Sequence, residues 1–237
     1  MAFVRVCAFV GILAATVTSS AADEESADEK TAFGRRQVEQ MLDDRPDMRG
    51  VIPESHPLFT WVVTGFNGDR FGRRVYWLAD SPRGGYPSMH IPPYEELPPF
   101  IQLSAGAELT PVDRWASVIF ELHNLQGLDQ SGKLVEQAMS GELTGEQYAM
   151  ECVRLEYEAG LRSKEQLLKE PIPEPQHKRN PIYHRILSLK PTFEEHQADL
   201  KAKGHPLDNF DYFLDHYRRV LVPAMQANQS DDKAASP

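Results

Sequence analysis

The chain has 237 residues, 41% of them apolar, 9% aromatic and 25% charged, which is enough apolar material for at least one full-sized core. Its 25 Lys plus Arg against 35 Asp plus Glu give a formal net charge of −10, a balance that repels phosphate backbones and argues against a nucleic-acid partner. With 15 Gly and 18 Pro it is neither collagen-like nor elastic, and no apolar run reaches the roughly 20 residues that span a bilayer, so no transmembrane segment is expected in the mature chain.

Arg5 precedes the apolar stretch Val6–Val17 and the small residues Thr18-Ser19-Ser20-Ala21-Ala22. This is the order of a secretory signal peptide, so residues 1–22 are expected to be removed, the mature chain to begin near Asp23 and the protein to be secreted or periplasmic. Of the two cysteines, Cys7 falls in that leader, which leaves Cys152 without an internal disulfide partner. Cys152 lies in a helical pattern and reads as a small buried hydrophobe. The acidic segment 23–30 and the polar segment 226–237 read as disordered tails.

Phe33, Val38, Met41 and Leu42 suggest a helix over 33–42 that stops before Arg45-Pro46. Residues 58–66 and 71–79 are rich in β-branched and aromatic types and flank Asn67-Gly68, the pattern of a β-hairpin. Prolines at 82, 87, 92, 93, 98 and 99 make the following stretch an extended loop, and 100–103 reads as a short edge strand. A helix over 111–126 has Thr110 as cap, Pro111 in its first position and Asp113 in its first turn, with Trp115, Val118, Ile119 and Leu122 on one face. Further helices are expected at 133–139 and at 145–168, the latter with a Thr144/Gln147 capping box. After a connector stiffened by Pro171, Pro173 and Pro175, a helix opens on a Thr192/Glu195 box and ends at Gly204, and Phe210, Phe213, Leu214, Tyr217 and Leu221 stripe a last helix that Pro223 should end. The fold class is α+β, an N-terminal hairpin and edge strand packed with a helix-rich C-terminal part. Residues 31–170 form the expected core and 171–225 a helical extension.

The stretch 100–126 runs from a short strand through a polar loop into an amphipathic helix carrying Phe120-Glu121-Leu122-His123-Asn124. Over roughly residues 56–165 this progression resembles the core of zincin metallopeptidases, whose helix carries HExxH. That motif works because residues i and i+4 share a helical face, so two imidazoles reach one zinc ion while the adjacent Glu polarises its water. Here Glu121 matches the base, but Phe120 and Asn124 stand where the two ligands belong, and neither is a zinc ligand of the usual kind. The resemblance implies a zincin-like scaffold in which Glu121, His123 and Asn124 line a cleft, with Glu151 or Glu158 of the next helix brought towards them.

No metal and no cofactor is assigned. The eight histidines form no compact pair of zinc spacing, and no nucleophile elbow, Walker motif or GxGxxG stretch occurs. The basic run Arg70, Arg73, Arg74 reads as a solvated face. The loop Arg83–Tyr94, with Tyr86 and His90, combines aromatic residues with a stiff backbone and suits a protein, peptide or glycan ligand. The expected function is noncatalytic binding or interaction. The alternatives are an active hydrolase with a noncanonical site using Glu121 as general base, and a purely structural exported domain in which Glu121 and Asn124 face solvent.

Overall fold

The computed structural model describes residues 27–66, 75–78, 88–91, 99–105, 109–173, 180–205 and 209–227. The leader, the Asn67-Gly68 turn, the arginine run at 70–74, Tyr86 with most of the proline-rich loop, the side chain of His90 and the last ten residues lie outside the described residues.

Helix α1 spans Ala27–Asp44 and buries Gly34, Val38, Met41 and Leu42. It starts inside the segment expected to be disordered, because Asp28 and Glu29 sit in its first turn, where acid favours a helix N-terminus. A 3-10 turn at Pro46–Met48 follows. Helix α2, Pro57–Gly65, occupies the segment expected to be the first hairpin strand. Pro57 stands in its first turn, and the His56 side chain accepts a hydrogen bond from the Leu58 amide at 3.2 Å. Burial of Leu58, Phe59, Val62 and Val63 along one helical face outweighs the β preference of the same residues. The hairpin is therefore absent.

Strands β1 (Val75–Leu78), β2 (Ser88–Ile91) and β3 (Phe100–Ser104) form one mixed sheet in the order β1-β3-β2. β3 is the central strand and not the expected edge: β1 runs parallel to it, with Val75 opposite Ile101, and β2 antiparallel, with Ser88 opposite Leu103. Val75, Ile101 and Leu103 are fully buried and give the sheet its core face.

Helix α3, Pro111–Gln126, starts at the expected Thr110 cap and is the central rod of the molecule, with every residue from Val112 to Leu125 buried except Phe120. Trp115 donates its indole N–H to the Met48 carbonyl at 3.1 Å and packs 6.3 Å from the Phe59 ring. Helix α4, Leu128–Met139, begins earlier than the sequence suggests, while α5, Gly145–Lys169, has its expected capping box. A short helix α6, Pro181–Leu187, not anticipated from the sequence, packs against α3 and adds Tyr183 and Ile186 to the main core. Helix α7, Phe193–Ala202, also has its capping box and is followed by Gly204 at φ +71°. Helix α8, Phe210–His216, runs into a π turn at Tyr217–Leu221, and residues 222–227 remain helical through Pro223. The missing proline donor falls where the π turn already interrupts the i to i−4 ladder, so the chain is not broken there.

The main core joins α1, α2, α3, α6 and the sheet. Two smaller clusters lie along α5, one with α4 and the π turn around Tyr148, Cys152 and Leu221, the other with α7 around Val153, Tyr157 and Phe193. The architecture is α+β.

Candidate functional site

Because α3 is enclosed on nearly all sides, its polar residues are placed by what packs against each face. Ser117, Glu121 and Asn124 follow the spacing i, i+4, i+7 and share one stripe. Their relative exposures are 1%, 2% and 7%, so the stripe is interior and Glu121 and Asn124 do not face solvent.

Glu121 meets the edge strand. Ser88 of β2 donates its hydroxyl to Glu121 Oε1 at 2.6 Å, and Asn124 Nδ2 donates to Oε2 at 3.1 Å. Each carboxyl oxygen thus accepts from a different element, which fixes the side chain in one orientation and meets the hydrogen-bonding needs of a buried polar group. Ser88 belongs to the proline-rich Arg83–Tyr94 stretch, so the degenerate helix and the loop, separate features in the sequence, meet at this contact.

His123 turns elsewhere. Its ring lies 4.7 Å from that of Trp61 on α2, its Nδ1 is 3.2 Å from Gln126 Oε1, and its backbone carbonyl accepts from Arg162 Nη2 of α5 at 3.4 Å. Burial holds its pKa down, to about 4, with the nearby Arg162 charge acting in the same direction and the Gln126 hydrogen bond opposing both. The imidazole is neutral at pH 7. The ring tautomer follows the Gln126 amide: with Oε1 turned to the ring, the proton sits on Nδ1 and Nε2 is an acceptor.

The expected carboxylates on α5 do not join this arrangement. Glu151 pairs with Arg154 at 3.6 Å, and Arg154 in turn reaches Glu194 and lies over the Phe193 ring. Glu158 is half-buried on the same helix, where no described contact ties it to Glu121. Phe120 packs towards Gly160, at which a Cβ would stand 3.6 Å from its ring. Zinc, which the zincin resemblance implies, does not fit these residues: Phe120 has no donor atom, and Asn124, whose Nδ2 donates to Glu121, offers only an amide oxygen, which zinc sites seldom use. Among the described residues no group of three or more His, Cys, Asp or Glu side chains is placed to share an ion.

Other titratable residues have local duties. Burial pushes the Cys152 thiol up to about 12, which keeps it protonated and unreactive in its apolar cluster. His196 stacks 5.3 Å from Tyr157, and His216 Nδ1 lies 3.1 Å from the Tyr148 hydroxyl. Sequence reasoning missed Ser88 as a partner of Glu121, took Trp61 for a strand residue and gave Arg162 no role. It also read Asp113 only as a first-turn acid, whereas this fully buried carboxylate accepts from the Ile182 and Tyr183 amides at 2.9 and 3.1 Å and so caps α6.

The chain matches no known protein family, no curated protein and no solved structure.

Proposed function

We propose that this is an exported, noncatalytic binding protein whose core resembles a zincin scaffold without its metal, and whose recognition surface is the β2 edge and proline-rich loop braced on Glu121. The observation that carries the reading is the clamp on that carboxylate, with Ser88 on one oxygen and Asn124 on the other. A metallopeptidase base must leave an oxygen available to a metal-bound water. Glu121 has the position of such a base, but its Oε1 accepts from Ser88 and so ties the sheet edge to the buried helix, while its Oε2 is held within the helix by Asn124, which stands where a histidine ligand would be. Prolines at 82, 87, 92 and 93 flank β2 in the sequence and restrict the backbone, which suits the stretch to binding a protein, peptide or glycan partner at little ordering cost.

Peptide-hydrolysis assays on the mature protein, with and without added zinc, test this. The expected result is no turnover above buffer under either condition. Zinc-dependent turnover that Glu121→Gln abolishes would overturn the noncatalytic assignment.

A further inference from the structure

The last helical stretch, residues 209–227, takes in α8, the π turn and the turns through Pro223, and Leu221 is its one buried residue. Its apolar side chains Phe213, Tyr217, Val220, Leu221 and Met225 join the cluster around Tyr148 and Cys152, whereas the main core takes none of its residues. What it covers is one face of α5, where Gly145, Tyr148 and Cys152 follow the spacing i, i+3, i+7. A Cβ at Gly145 would stand 2.8 Å from the Tyr217 ring, and the Tyr148 ring lies 5.9 Å from that of Tyr217 and 6.0 Å from that of His216. The Tyr148 hydroxyl is 3.1 Å from His216 Nδ1. At the entry to the stretch Asn209 donates through Nδ2 to Glu156, but its backbone is left-handed at φ 61° and its Oδ1 is buried without a hydrogen-bond partner among the described residues.

We propose that residues 209–227 form a detachable strap, which lifts from α5 as one unit while the main core stays folded and so uncovers the face made by Gly145, Tyr148 and Cys152. Segments that open at low cost are those that bury little of themselves and have no share in the principal core, and this stretch has both properties. It leaves as a unit because its holdfasts, Tyr217 and Leu221, lie in its middle, on the π turn, and close on the same cluster. With the strap closed, Cys152 is 7% exposed and burial pushes its thiol up to about 12. With the strap open, the thiol meets water, ionises as an ordinary cysteine does and becomes a nucleophile. The device stands apart from the binding function proposed above, since Ser88, Glu121 and Asn124 take no part in it.

In the chain beginning at Asp23 the only cysteine is Cys152, so its reaction with a chromogenic aromatic disulfide, in excess and without denaturant, reads the open population. Leu221→Ala removes the buried anchor of the strap and should speed the reaction about tenfold or more. Val62→Ala weakens the main core, where Val62 is fully buried, and should leave the rate within about twofold of the parent; the milder Ile119→Val serves if that chain does not fold. A core substitution that accelerates labelling as much as Leu221→Ala does would mean that only global unfolding uncovers the thiol. A rate that Leu221→Ala leaves unchanged would mean that the reagent reaches Cys152 past a closed strap. Either result, or no labelling at all without denaturant, would overturn the proposal.

Discussion

At the scale of single residues the buried polar groups do the specifying. Asp113 is the clearest case, because its carboxylate gathers two amides at the start of α6. Asp113→Ala would strand those donors in the interior. The expected cost is about 3 kcal/mol, read as a fall in Tm of about 6–12 °C for a chain of this size; a shift below 2 °C, on the same scale, would show that α6 is held by other means. His123 gives the protein a pH signature. Its folded pKa of about 4 lies below the ordinary 6.5, so on acidification the unfolded chain takes up a proton first, and stability is lost as pH falls from about 6.5 to about 4. The loss is on the order of 3 kcal/mol at the acid end. Urea midpoints at pH 7 and pH 4.5 should converge in His123→Phe, which keeps an aromatic ring beside Trp61 and removes the titration.

Between elements, the closest approach is at Gly34, where an added Cβ would stand 2.0 Å from the Val63 carbonyl oxygen. Gly34→Ala must force α1 off α2, and urea denaturation should show a loss of about 3 kcal/mol or more; near-wild-type stability would mean that the two helices do not cross so closely. The same pair of helices shows where local pattern misleads. Thr144/Gln147 and Thr192/Glu195 announce their helices because a capping box is satisfied within four residues. Leu58 to Phe66 announces a strand, and becomes a helix because Phe59, Val62 and Val63 fit against α1 and Trp115, partners no local pattern contains. The signals that favour the helix, His56 as cap and Pro57 in the first turn, were present but weaker than the run of β-branched residues. α6 went unread for a related reason: seven residues show little periodicity, and its cap comes from Asp113 far away in sequence.

On the scale of the whole molecule, the class and the central helix were legible because Thr110, Pro111 and the Trp115, Val118, Ile119, Leu122 stripe all agree. The site was half legible. Glu121 and Asn124 do act together, but Ser88 reaches them only through sheet order, which places β3 centrally and β2 beside α3, and His123 departs because its own turn of helix faces α2 and α5. The proposed export has its own test: cell fractionation should place the protein outside the cytoplasm with the mass of a chain beginning at Asp23, and a cytoplasmic protein retaining residues 1–22 would contradict it. The account turns on the contact that joins the sheet edge to the helical body. A double-mutant cycle of Ser88→Ala and Glu121→Met, which removes the acceptor at nearly constant volume, measured by equilibrium unfolding of the mature protein, tests it most directly. The clamp predicts a coupling of about 1–3 kcal/mol; additive effects, with coupling within about 0.3 kcal/mol of zero, would mean that Glu121 does not hold the strand.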